Sequence, residues 1–216
     1  MKLATRPPNL AAPSEWTSRN VSRLASLGLA LILIACAAEA PRGVAADPMT
    51  PQPPASELRS EQLSPGLAVS YWFIPLRDIR ELESWRRWQP GTTGAVLDGL
   101  DHVMGDGPVL TSGARDAVGA EITGFIHLSE MGRYSFLANS NDGVRAEVGG
   151  VVVANDPDVH SDRLSTPQSI TVTQPGWYAL RVLYFERRNT ATLQLFWVTP
   201  SASAPALVPA SALRHR

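Results

Sequence analysis

The stretch Ala120-Glu-Ile-Thr-Gly-Phe-Ile-His-Leu128 alternates with a period of two. Ala120, Ile122, Gly124, Ile126 and Leu128 share one side, and Glu121, Thr123 and His127 the other. One apolar and one polar side is the pattern of a strand with a single buried face. The pattern repeats downstream. Gly132 opens Arg133-Tyr-Ser-Phe-Leu-Ala138, with Tyr134 and Phe136 on one side. Asn141-Asp142-Gly143 is a turn signal. Val144, Ala146 and Val148 then alternate with Arg145 and Glu147, and Gly149-Gly150 turns the chain into Val151-Val-Val153. After a polar loop, Asn155–Gln168, come Ile170 and Val172, a stop at Pro175-Gly176, then Tyr178, Leu180, Val182 and Tyr184 in phase. Arg187-Arg-Asn-Thr190 joins that strand to Ala191, Leu193, Leu195 and Trp197 as a hairpin. Strands this short and this regularly spaced predict an all-β fold, an antiparallel sandwich or barrel.

Upstream the signals thin out. Leu67-Ala-Val-Ser-Tyr-Trp-Phe-Ile74, ended by Pro75, predicts a strand. Leu76, Ile79, Leu82, Trp85 and Trp88 recur every three residues and predict a short helix. Asp78 is its expected cap and Gly91 its expected end, with Glu83 and Arg87 paired across one turn. Residues 90–119 are Gly-rich and weakly patterned, and read as a long loop.

The first third is of another kind. Leu24-Ala-Ser-Leu-Gly-Leu-Ala-Leu-Ile-Leu-Ile-Ala35 is apolar, follows Arg19 and Arg23, and has the length of a secretory signal rather than of a membrane span. It ends in Leu33-Ile34-Ala35-Cys36, which resembles the bacterial lipobox, whose cysteine is acylated. The other reading is an ordinary cleaved signal, since Ala35, Ala37 and Ala38 are small; that the only cysteine falls here favours acylation. That lone cysteine also excludes an internal disulfide or a multi-cysteine metal site. Residues 36–65 hold six prolines among many Ala and Ser, and read as an extended linker. The chain therefore divides into a signal peptide (1–35), a lipidated tether (36–65) and a β-domain (66–213). The net charge of −1 splits into +3 over residues 1–35 and −4 beyond. A mildly acidic body excludes a general nucleic-acid surface. The expected location is the cell envelope, anchored through lipid, in the outer membrane if the host has two.

The order of these pieces resembles the protective-antigen-type, or PA-fourteen, domain. The pieces are Gly124-Phe-Ile126, Gly132-Arg-Tyr-Ser-Phe136, Ser140-Asn-Asp-Gly-Val-Arg145 and Val148-Gly-Gly150. They continue with Gly176-Trp-Tyr-Ala-Leu180, Val182-Leu-Tyr-Phe-Glu186, Ala191-Thr-Leu-Gln-Leu-Phe-Trp197 and Val208-Pro-Ala-Ser-Ala-Leu213. The resemblance implies a β-sandwich module that often binds carbohydrate. In some fungal adhesins paired aspartates in this turn hold calcium, which holds sugar hydroxyls. Here Asn141 stands in the first aspartate's place and only Asp142 remains. The resemblance therefore implies at most a weak calcium site of Asn141, Asp142 and Glu186, with Asn189 as a further donor. The alternative is a turn capped by its own side chains.

Other features carry less. Asp156, Asp158, His160 and Asp162 alternate in the long loop with partial calcium-loop spacing, but Ser161 and Pro167 stand where Gly and Glu are needed. A solvated acidic loop is the plainer reading. His102 and His127 have no nucleophile motif near them. Trp177 is out of phase with Tyr178, so it faces outward, free to stack on a sugar or to pack under a loop. Arg187-Arg188 is a hairpin tip or a rim contact for an acidic sugar. The expectation is thus a non-enzymatic envelope protein that binds glycan through Asn141, Asp142, Trp177, Glu186, Arg188 and Asn189. The rival is a structural or protein-interaction module within a surface assembly.

Overall fold

The computed structural model describes residues 49–51, 58 and 60–216. The signal, Cys36 and most of the Pro-rich segment lie outside the described residues. Chain order runs β1 (Ser64–Pro65), β2 (Ala68–Phe73), α1 (Ile79–Trp85), β3 (Thr92–Thr93), β4 (Asp101–Gly105), β5 (Val118–Leu128) and β6 (Gly132–Ser140). It continues with β7 (Val144–Val148), β8 (Val151–Asp156), β9 (Arg163–Leu164), β10 (Gln168–Val172), β11 (Gly176–Glu186), β12 (Ala191–Val198), β13 (Ala206–Leu207) and β14 (Leu213–His215).

These strands make the expected antiparallel sandwich. One sheet has the order β1-β14-β5-β11-β7-β8, with β2 on the β14 side of β5 and β3 beyond β2. The other has the order β10-β6-β12-β13, with β9 also on β6 and β4 also on β12. β5 and β11 form the spine of the larger sheet, in register from Leu128↔Gly176 to Val118↔Glu186. The period-two pattern is why. Ala120, Ile122, Ile126 and Leu128 are buried on β5, and Tyr178, Leu180, Val182 and Tyr184 on β11. They meet Tyr134, Phe136, Leu193 and Leu195 of the second sheet in one core. Each fully buried Val, Leu, Ile or Phe among them stabilises the fold by roughly 1.5–3 kcal/mol.

The helix begins where expected. The Asp78 carboxylate accepts the Arg80 N–H at 2.7 Å. It stops at Arg86 rather than near Gly91. The three-residue spacing explains the shortfall. At 3.6 residues per turn, each three-residue step drifts about 60° around the axis. Ile79 and Leu82 therefore face the sheet, while Trp85 is 43% and Trp88 83% exposed. Glu83 does not pair with Arg87. It accepts from Arg145 at 3.3 Å and from Arg181 at 3.1 Å, which ties α1 to the outer face of β7 and β11.

Residues 90–119 are not all loop: β3, β4 and the start of β5 lie there. β4 is an edge strand with little apolar alternation, and Val103 is 71% exposed, so no periodic signal marks it. The end of the Pro-rich segment also touches the body. β1 pairs Ser64 and Pro65 with His215 and Arg214, and Leu63 is buried.

Candidate functional site

The turn Asn141–Gly143 is where the chain leaves one sheet for the other. β6 before it belongs to the smaller sheet and β7 after it to the larger. The Asn141 N–H donates to the Thr192 carbonyl on β12, and the Phe185 N–H of β11 donates to the Gly143 carbonyl. Gly143 is needed for the crossing: a Cβ there would overlap the Phe185 ring and the Pro157 carbonyl oxygen. Asp142 lies in the left-handed region, φ 59°, which aspartate enters at less cost than most residues.

Two loops close over this turn. One is 157–162, after β8; the other is 187–190, between β11 and β12. Asp142 holds both. Its Oδ1 accepts the His160 N–H at 3.1 Å and its Oδ2 the Arg187 N–H at 2.7 Å. Its own N–H donates to the His160 carbonyl at 2.8 Å. Burial pushes this carboxyl above its usual range, against the two amides, which favour the charged form. Asn141 ties the same loops together. Its Nδ2 donates to Asp162 Oδ1 at 2.8 Å and to Thr190 Oγ1 at 3.0 Å. Asp162 Oδ2 accepts from Thr192 Oγ1 at 3.0 Å.

Between the loops lies a cleft of about 360 Å³. Its walls are Asn141 and Asp142 from the turn, Val159, His160 and Ser161 from one loop, and Arg187 to Thr190 from the other. No Phe, Tyr or Trp lines it. Neither Arg187 nor Arg188 has a carboxylate within ion-pair distance among the described residues. Asn189, at φ 77°, donates its N–H to Asp116 Oδ1 at 2.9 Å.

Of the residues expected from sequence, Asn141, Asp142, Arg188 and Asn189 come together here. Glu186 does not reach the wall. It is fully buried behind the turn, its Oε1 without a hydrogen-bond partner in the protein and its Oε2 3.5 Å from the Tyr184 hydroxyl. Burial, then the Asp142 charge, push its carboxyl up to about 8. Trp177 sits at the far end of β11, about 30 Å along the strand. There it packs on His127, ring centroids 4.8 Å apart, under the Arg214 guanidinium. It is a sheet-face aromatic, not part of the cleft. The alternating acids of the long loop also part company. Asp156 pairs with Arg163 and His160, Asp158 meets Asp78 across an isolated bridge, and Asp162 serves Asn141 and Thr192. Sequence reasoning missed the part played by His160, which holds the turn through its main chain and so leaves no side-chain signal.

Calcium is the ion the family resemblance implies, and the donor set does not fit it. Asp142 is the single carboxylate on the wall, and each of its oxygens already accepts an amide N–H. Glu186 is sealed off, its carboxyl pushed up to about 8 chiefly by burial. Two arginines on the same wall oppose a cation. No three His, Cys, Asp or Glu side chains converge as a metal site among the described residues.

Comparison with known proteins bears on the whole arrangement. The PA14 domain matches residues 102–210, just over half of the chain. The chain belongs to the PA14 domain family. Among solved structures, it is similar to the PA14 domain of the MpAFP antifreeze protein, at 17% identity and a TM-score of 0.60, covering 71% of this chain and 92% of that one. The PA14 sugar-binding domain from an RTX adhesin matches at 16% identity and a TM-score of 0.58, covering 71% and 99%. The A domain of epithelial adhesin 9 from Candida glabrata, solved with Galβ1-4GlcNAc, matches at 11% identity and a TM-score of 0.58, covering 77% and 96%. No curated protein matches the chain. At these identities the solved PA14 structures share the fold.

Proposed function

We propose that this PA14 protein binds glycan without catalysis, at the cleft between the Asn141–Gly143 turn and the loops 157–162 and 187–190. The observation that carries the reading is the cleft itself. It is concave and polar, built on the turn that joins the two sheets, in a fold whose solved relatives include sugar-binding adhesins. Hydroxyl and amide groups from Ser161, Asn189 and Thr190 stand on its walls. In this reading Cys36 is acylated and holds the domain at the cell envelope, in the outer membrane where there are two. A cell-wall or surface polysaccharide would be within reach of the tether.

A glycan array probed with the soluble Cys36→Ser protein tests the binding. Ser161→Trp, on an exposed loop, should fill the cleft and abolish any signal. An array without hits, or hits indifferent to Ser161→Trp, would sink the assignment. Release of the Cys36→Ser variant from host membranes tests the anchor, and unchanged fractionation would refute it.

One observation favours a second reading, protein contact in a surface assembly. Trp85 and Trp88 flank an apolar hollow of about 370 Å³ on α1, with Glu81, Ser84 and Gln89. Exposed indoles in one patch are common in protein interfaces. Trp88→Ala would then break partner capture and leave array binding intact.

A further inference from the structure

We infer that the cleft selects a glycan bearing carboxylates, an oligosaccharide of uronic-acid type, through the guanidinium groups of Arg187 and Arg188. This rests on the carbohydrate reading above and names its ligand class. Asp142 spends both oxygens on the amides of His160 and Arg187. Asp162 spends both on Asn141 and Thr192. Asp156 is matched by Arg163, with the His160 Nε2 3.3 Å away. Asp116 accepts from the Asn189 backbone. Glu186 is buried and sealed from the cleft.

Arg187 and Arg188 are what is left. The charge of Arg187 favours the ionised form of Asp142, so Arg187 is partly offset. Arg188 is exposed, and its guanidinium has no carboxylate partner among the described residues. Two arginines thus line the wall against one committed carboxylate. Planar guanidinium matches a carboxylate with two parallel hydrogen bonds, a geometry lysine cannot copy. Neutral sugars in such sites lean on aromatic stacking or on a bound cation. Here no Phe, Tyr or Trp lines the wall, the His160 ring is 4% exposed, and the donors do not suit calcium. The ring hydroxyls of an acidic sugar would instead meet Ser161, Asn189 and Thr190 beside the arginines.

The test uses the soluble Cys36→Ser chain and calorimetric titration in EDTA. The probes are oligomers of galacturonate, of mannuronate and guluronate, and of the hyaluronan disaccharide, each beside its carboxyl-reduced, neutral counterpart. At least one acidic oligomer should bind, its reduced counterpart at least about 10-fold more weakly, as for a charged hydrogen bond removed. Arg188→Gln should cost a similar factor, and Arg188→Lys should restore only part of it. Half-molar salt should weaken binding, and calcium should not strengthen it. Binding of no acidic oligomer, equal binding of acid and reduced forms, or full affinity in Arg187→Gln/Arg188→Gln would overturn the inference. If neutral glycans still bind the array and Ser161→Trp removes them, the carbohydrate reading survives that failure. If no glycan binds at all, both fall together.

Discussion

Asp142 and Arg187 are 45 positions apart, and the Arg187 N–H donates to Asp142 Oδ2 at 2.7 Å. With the second bond to His160, one side chain fastens two loops to the turn between the sheets. Asp142→Ala should orphan both amides and force alanine into the left-handed region. The expected loss is about 2–4 kcal/mol in urea unfolding, the same with calcium or EDTA. A loss seen only in calcium would make Asp142 a metal ligand and not a clamp.

Glu186 gives the domain a pH signature. Its carboxyl moves from 4.5 to about 8 on folding, because burial and Asp142 disfavour its charge. The folded state therefore holds a proton that the unfolded state releases above 4.5. Its contribution to stability is full at acid pH, falls as pH rises from 4.5 to about 8, and is flat beyond. Glu186→Gln should remove that slope. The variant should match the native protein near pH 4.5 and exceed it by a few kcal/mol, in order of magnitude, above pH 8. Parallel pH profiles of melting for the two proteins would contradict this.

Arg181 is the hub of the ion network under α1. It reaches Glu121 at 2.7 Å, Glu83 at 3.1 Å and Glu147 at 3.4 Å, while Arg86 and Arg145 complete the cluster. The arginine side chain is 22% exposed, so each pair is partly screened. Arg181→Ala leaves three glutamates facing one another with two arginines. The expected cost is roughly 1–3 kcal/mol at pH 7. It should shrink as pH falls through the carboxylate range, because protonation relieves the repulsion. A cost independent of pH would assign the effect to lost packing.

The sheets were legible because their buried faces repeat every two residues, as on β5 and β11. The spacing Leu76 to Trp88 pointed to a helix and even to Asp78 as its cap. It could not show that a three-residue repeat turns the tryptophans outward. β4 escaped because an edge strand needs no apolar alternation. At the site, Asn141, Asp142, Arg188 and Asn189 shared a turn or a hairpin tip, and local signals sufficed. Trp177 misled, because strand phase says which face a residue is on and nothing about which end. Glu186 looked like a surface ligand because it closes a strand, yet its position faces inward beside Tyr184. Asp162 and His160 came into the site through a loop whose path no local pattern specifies.

The turn itself separates metal from hydrogen bonding. Asn141 donates to Asp162 and Thr190, so its amide nitrogen is the functional end. Asn141→Asp would create the paired acids that the family resemblance associates with calcium. In this structure it places a carboxylate 2.8 Å from Asp162 Oδ1, where a donor stood. Without calcium it should therefore destabilise the domain by about 1–3 kcal/mol at pH 7, less as the pH falls and the new acid protonates. The Asn141→Asp melt in EDTA, at micromolar calcium and at several millimolar decides the matter. Recovery only at millimolar calcium, in the range of weak extracellular sites, fits a cation drawn in by the new charge alone. A native protein that already melts higher at micromolar calcium would mean that the cleft holds the ion after all, with Asp142 as its ligand.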